Sequence, residues 1–269
     1  MSTLHGNDFY LPIESIQHAK SQILSSMIFI SIVNVLLFTA FSASSATKNR
    51  ANRLSYQLSH FSMNLFLGIY GVYFWFSKVP GMRDVSTSDK VDGFVEDITI
   101  FANAQIGYNL WAIPAGAIVK EKPIMIVHHF AVLCVASIST FLTNGFRYYT
   151  PFFYGAIEIS SIPLTVMNVL KDNKDWQALF PTTNIISRLT FALSFLTFRV
   201  ICWIPLIFDY LKHLSLILIT SDDSTEIVIF SSMCISALAL TYLQLGWGTI
   251  IVKGLIGHFS PKNKDKKSD

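Results

Sequence analysis

An all-α fold, a polytopic membrane helix bundle of about seven transmembrane helices around a central cavity, is what this sequence predicts, and three observations carry it. Of 269 residues, 52% are hydrophobic and 14% charged, where a soluble domain carries about 25% charged residues; mean hydropathy is +0.47. Apolar runs near the membrane-crossing length of about 20 residues recur along the chain. Inside those runs sit histidines, a glutamate and an arginine, and an ionisable group at that depth costs about 2.5–3.5 kcal/mol on insertion scales. Such groups persist where they face a cavity, a partner or a substrate.

The first run covers 23–43. The residues before it lack the basic start and short apolar core of a cleavable signal, so this helix is expected to insert and stay; six spans remain if it is only peripheral. The second, 56–76, places Tyr56, His60, Asn64, Gly68 and Gly71 three or four residues apart, on one helical face. The third, 98–119, carries Gln105 and Asn109 on one side. The fourth, 124–142, opens with the pair His128-His129. The polar turn TNGFR leads to the fifth, 148–169, where Tyr154, Glu158, Ser161, Thr165 and Asn168 are expected to form one continuous polar stripe. The sixth, 185–208, is interrupted by Arg188 and Arg199, and Pro205 is placed to kink its far end. The seventh, 227–253, shows Cys234, Thr241, Gln244 and Gly248 on one face.

Basic residues in short connections set the orientation. Lys48, Arg50, Arg53, Lys120, Lys122, Lys171, Lys174, Arg188 and the tail lysines 262, 264, 266 and 267 fall on one side. Lys20, Lys78, Arg83, Lys90, Arg147 and Lys212 fall on the other. The richer side is expected in the cytosol, with the C-terminus there and the polar 77–97 loop in the lumen. The ending Lys266-Lys267-Ser268-Asp269 resembles a di-lysine retrieval signal of endoplasmic-reticulum membrane proteins, against the alternative of a basic tail held near anionic headgroups.

Several function classes drop out. The formal charge of +3 is small and concentrated in the tail, so no nucleic-acid partner is expected. Cys134, Cys202 and Cys234 lie within apolar runs, where they read as small buried side chains rather than disulfides or metal ligands. The Glu-x-x-His repeats of di-metal bundles are missing, and no metal is expected. A retinal protein needs a lysine deep in the last helix, whereas Lys253 sits at its end.

Interhelical hydrogen bonds worth about 0.6 kcal/mol per pair account for isolated serines and threonines in a bundle. They are too weak to account for Glu158, Arg199 and the histidines. At 1.5 Å per residue, His128 and His129 lie about 7–9 Å inside the cytosolic face, with His60 at similar depth. Glu158 and Arg199 fall near the midplane. The expected arrangement is a cavity opening to the cytosol, histidines at its mouth and an acid–base pair at its floor. A polar-lined cavity with apolar walls suits an amphiphile.

These residues also resemble a known family. VHHFAVL, Gly145 in the following turn, IEISSIPLTVMN (with Glu158, Ser160, Pro163 and Asn168), Arg53 with His60, and FRVICWIP (with Arg199 and Pro205) are similar in order and spacing to the TLC domain. That multi-pass family includes ceramide synthases and relatives without that activity. The resemblance divides the chain into 1–52, an N-terminal tail and first helix; 53–256, the TLC domain with six helices; and 257–269, a basic cytosolic tail. Where ceramide synthases read His-Asp-x-Ser-Asp, this chain has Ile157, Glu158, Ile159, Ser160 and Ser161. After Gly107-Tyr108 it has Trp111-Ala112 in place of an aromatic-Asp ending. These departures place it nearer the TLC-domain proteins of membrane lipid homeostasis.

Two readings follow. In the first, the protein binds or senses a sphingolipid, phospholipid or fatty-acyl species in its bundle. Its lipid-binding residues are then His60, Asn64, Tyr154, Glu158, Ser161, Thr165, Asn168, Arg199 and Gln244, with the His128/His129 pair beside them, and no cofactor is required. In the second it is an N- or O-acyltransferase with acyl-CoA as co-substrate; His128 and His129 then supply a general base or acyl acceptor, oriented by Glu158. A homodimer through small-residue faces such as Gly68/Gly71 is permitted.

Overall fold

The computed structural model describes residues 13–78, 96–142 and 147–259, and every element among them is helical. Helix α1 (Ile13–Ala43) leads through a 3-10 turn at Lys48–Arg50 into α2 (Ala51–Ser77). Helices α3 (Glu96–Ile118) and α4 (Pro123–Phe141) form a hairpin. The next span is assembled from pieces: a 3-10 turn at Arg147–Tyr149, α5 (Thr150–Phe153), a 3-10 stretch at Ala156–Ser160 and α6 (Ser161–Asp172). Short α7 (Lys174–Leu179) is followed by α8 (Pro181–Ser194), a π turn at Phe195–Ile201, α9 (Trp203–Thr220) and the long α10 (Ser224–Phe259). Gly145, the 77–97 loop beyond Lys78 up to 95, and the Lys266-Lys267 tail lie outside the described residues.

Five segments are long and apolar enough to cross a membrane by length and composition: Ile16–Ala43, Pro123–Phe141, Thr150–Asp172, Pro181–Thr220 and Ser224–Gly257. The expected spans at 56–76 and 98–119 correspond to α2 and α3, of 27 and 23 residues, which fall short on apolarity rather than length. The reason is visible in what they bury. α2 encloses Ser55, Gln57, Ser59 and Asn64, and α3 encloses Asn103, Gln105 and Asn109.

α2 joins the molecule's two cores. Its Trp75 belongs to a cluster with Phe152, Trp203, Tyr210, Leu214 and Phe230, built largely from α5, α9 and α10. Its Met63, Leu67 and Phe74 belong to a second cluster with Ile30, Phe101, Ala104 and Ala136, from α1, α3 and α4. α1 packs on α2 and α3 from outside. Gly107 permits the approach, because a Cβ there would strike the Ile23 carbonyl and the Ser26 hydroxyl of α1.

Sequence-local chemistry sets the α3–α4 turn. Lys120 takes a left-handed backbone, φ 54°, and its N–H bonds the Ala117 carbonyl while the Glu121 N–H bonds that of Gly116. That is a Schellman C-cap, here with lysine at the position that favours glycine. Pro123 then starts α4, where its missing N–H costs nothing. Glu121 is thereby brought 2.8 Å from Arg53, whose Nε also lies 3.2 Å from Asp172. Arg50 donates to both oxygens of Asp175, at 2.7 and 2.6 Å. One end of the bundle is thus tied together by charge.

The sequence expectation of one continuous helix at 148–169 is corrected, and the disturbance expected from Pro205 in 185–208 falls before the proline, at Phe195–Ile201. Pro163 has no N–H for the Ile159 carbonyl and Pro205 none for that of Ile201, so each stretch before the proline leaves α geometry. In the first case it tightens to 3-10, and in the second it widens to a π turn. The polar stripe expected on one continuous face from Tyr154 to Asn168 is therefore broken at Gly155.

Candidate functional site

The site begins where α2 meets the 3-10 stretch. A Cβ on Gly68 would come 2.8 Å from the Ile159 backbone nitrogen, and one on Gly71 would overlap the backbone of Gly155 and Ala156. The two backbones therefore touch, which small residues permit in membrane bundles. This glycine face is taken up by the chain's own 155–159 backbone. The contact fixes Glu158 inside the molecule.

Around Glu158 the polar groups form a chain of contacts. Its Oε2 accepts from the Ser161 hydroxyl at 2.6 Å and lies 3.3 Å from Arg199 Nη2. Its Oε1 accepts from Gln105 Nε2 at 3.4 Å, an amide that also reaches the Tyr154 carbonyl at 3.2 Å. That carbonyl is one that the helix break leaves unpaired, so the α3 glutamine repairs the backbone while holding the carboxylate. Arg199, on the π turn, donates its Nε to Ser160 at 2.8 Å and Nη2 to Ser161 at 3.1 Å. π turns of this kind recur at functional sites. On the other side Asn109 Nδ2 donates to Gln105 Oε1 at 3.0 Å, and its Oδ1 lies 2.7 Å from His129 Nδ1. His60 is hydrogen-bonded to the Tyr108 hydroxyl, and its ring centroid lies 5.4 Å from that of His129.

Beside this network lies a partly open pocket. α4 contributes His128, Val132, Val135 and Ser139; α10 contributes Ala237, Leu240 and Gln244. Trp203, Ile207 and Tyr210 of α9 form another wall, with Phe153, Tyr154 and Ile157 opposite. Glu158 and Gln105 reach it from the polar network, and Tyr149 and Thr150 also line it. From His128 to Ser139 the α4 wall runs about 16 Å at 1.5 Å per residue. Trp203 Nε1 donates to the Thr241 hydroxyl at 3.0 Å and holds α9 to α10 one turn from Gln244.

The sequence-selected residues divide into three groups. His128, Tyr154, Glu158 and Gln244 line the pocket. His60, His129, Ser161 and Arg199 stand behind it in the polar network rather than in its wall. Asn64 is buried on α2 with its Oδ1 unpartnered, Thr165 bonds the Ser161 carbonyl at 2.9 Å, and Asn168 is half-buried on α6; none of the three lines the pocket. Glu158 reaches His129 through Gln105 and Asn109, with no direct bond to either histidine of the pair among the described contacts.

Two contributions went unselected. Gln105 and Asn109 are the bridge between carboxylate and imidazole, and their spacing on α3 was the signal available. The aromatic walls, Tyr149, Phe153, Trp203 and Tyr210, give no sequence signal that separates them from ordinary core.

The profile of the TLC domain matches residues 21–253, taking in most of α1 as well as the helices that build the network and pocket. No curated protein and no solved structure matches the chain. With the match running from α1 to near the end of α10, this chain belongs to the TLC domain family.

Proposed function

We propose that this is a multi-pass protein of the endoplasmic-reticulum membrane that binds or senses a lipid acyl chain within its helix bundle, in the service of lipid homeostasis. In this reading α2 and α3 are inner spans, giving about seven transmembrane helices around a central cavity, with the C-terminal tail in the cytosol. The observation that carries it is the pocket's division of labour. A long apolar wall of Val132, Val135, Ile157, Ile207 and Leu240 leads to a polar end at His128, Glu158, Gln105 and Gln244. Sphingolipid, phospholipid and fatty-acyl species all fit that description.

Lipids co-purifying with the protein, identified by mass spectrometry, test the reading. A defined lipid is expected with the native chain and is lost in Leu240→Trp, which fills the apolar wall; unchanged thermal unfolding of that variant guards against misfolding. An identical lipid profile in both proteins would sink the pocket.

A second reading, acyl transfer from acyl-CoA, is favoured by one feature: His128 lines the pocket with its Nδ1 unpartnered. In that chemistry the imidazole removes a proton from an acceptor hydroxyl or amine, whose oxygen or nitrogen attacks the thioester carbonyl, and the departing thiolate takes up the proton. The Glu158 carboxylate, held by Ser161, Gln105 and Arg199, does not orient that imidazole. Turnover of acyl-CoA by the purified protein, abolished by His128→Ala, would put this reading first.

A further inference from the structure

The polar end of the pocket holds an unexplained group. Gln244 is 2% exposed, its side chain lines the pocket, and its Oε1 has no hydrogen-bond partner. Buried amides in folded proteins are almost always bonded, so a lone one facing a cavity calls for something in that cavity. His128 faces the same space from α4 with an unpartnered Nδ1. Oxygen and nitrogen ends of a side-chain amide exchange by a half-turn, so Gln244 offers the pocket one acceptor and donors together. A neutral imidazole offers either role.

The charges nearby narrow the partner. The lining contains one carboxylate, Glu158, and neither lysine nor arginine. Arg199 sits behind that carboxylate, bonded to Ser160, Ser161 and Glu158, and does not reach the wall. An anionic headgroup would therefore lie beside Glu158 with no cation to meet it. An ammonium could donate to the amide oxygen, but it would find a carboxylate whose charge Arg199 already offsets and would leave the amide's own donors without an acceptor. A hydroxyl or a carboxamide satisfies both ends of Gln244 and adds no charge beside a buried amide.

Resting on the lipid-binding reading above, we propose that this end of the pocket selects an uncharged headgroup that both donates and accepts hydrogen bonds, and that Gln244 is the residue that reads it.

The test is binding of equal-length chains to the purified full-length protein in nanodiscs at neutral pH: hexadecanol, hexadecanamide, hexadecanoate and hexadecylammonium. The alcohol and the amide are expected to bind about tenfold tighter than the two ions, the worth of one satisfied buried hydrogen bond. Gln244→Leu should remove that margin and leave the ions' affinities where they were. Gln244→Glu, nearly isosteric, should turn the preference toward the ammonium. Equal affinity for all four chains, tighter binding of either ion, or a margin that survives Gln244→Leu each overturns the proposal while leaving a lipid pocket in place. Failure of every chain to bind overturns the lipid-binding reading and this selectivity with it.

Discussion

Helices α1 and α2 are neighbours of similar length, 31 and 27 residues, and they solve opposite problems. The apolar stretch of α1 has a mean hydropathy of 2.2, and only 6% of its residues are buried inside the molecule. α2 fails the same test of apolarity, yet places Leu54, Ser59, Met63 and Leu67 out of contact with any surroundings but protein. Lipid tails are as apolar as leucine, so an outer helix gains little by packing and keeps its hydrophobic side chains facing outward. A helix with one face against protein can carry polar groups on that face, as α2 does with Ser55, Gln57, Ser59 and Asn64, while Phe66, Ile69 and Tyr73 remain exposed on its other side. A shortage of hydropathy along this chain therefore marks α2 and α3, whose buried faces carry His60, Gln105 and Asn109 of the polar network, while the pocket's apolar walls come from the hydropathic α4, α9 and α10.

The comparison breaks most readily at glycines. On α2, Gly71→Ala would put a methyl group into the backbone of Gly155 and Ala156, and neither side can yield without moving a helix. Overpacking of this kind costs about 1–3 kcal/mol and sometimes more. The expectation is loss of a monodisperse, cooperatively unfolding protein in detergent. On α10, Gly254→Ala meets nothing within 4 Å and should be neutral or raise stability by about 0.5–1 kcal/mol through helix propensity. Equal effects from the two substitutions would show that the inner contact is not tight.

Arg199 and Glu158 sharpen the contrast from the polar side. Arg199→Met leaves a carboxylate buried without its cation, an imbalance that costs about 3–5 kcal/mol when one member of such a pair is removed. Adding Glu158→Gln removes the stranded charge; its amide oxygen can still accept from Gln105 while its NH2 donates to the Ser161 oxygen that Arg199 no longer occupies, and most of the loss should be recovered. Unfolding in detergent of the two single variants and the double measures the coupling. If the double variant is as unstable as the sum of the singles, the pair is not a unit.

Much of this was legible in the sequence, for reasons specific to each residue. Glu158, Arg199 and His128 stand out because an ionisable group inside an apolar run demands an explanation, and the structure does bring the first two within 3.3 Å. Gln244 and Tyr154 followed from helical spacing and do line the pocket. The break in the 148–169 helix was not read, although Gly155 and Pro163 were its local signals, because an unbroken three-or-four spacing on paper conceals a change of helix type. Gln105 was seen as polar and not as a bridge, since pairing across helices depends on a backbone carbonyl that only the broken helix frees. The split of the histidines, His128 into the pocket and His129 toward Asn109, is a matter of successive residues pointing about 100° apart.

The smallest expected effect belongs to the charged end of the bundle, outside the spans. Hydrogen bonds from Arg50 hold the Asp175 carboxyl down to about 2, from an ordinary 3.8. A carboxyl whose value is lower in the folded state stabilises the fold above its unfolded value, and that contribution fades as pH falls from about 4 to about 2. Both side chains are in reach of solvent, so the pair should add little, and salt should weaken it further. Asp175→Asn is accordingly expected to lower the unfolding temperature in detergent by about 1–2 °C near pH 6, with the two proteins converging on acidification. A difference that persists unchanged at pH 2 would assign the effect to packing of Arg50 over the Trp176 ring, 5.2 Å from its centroid, rather than to charge.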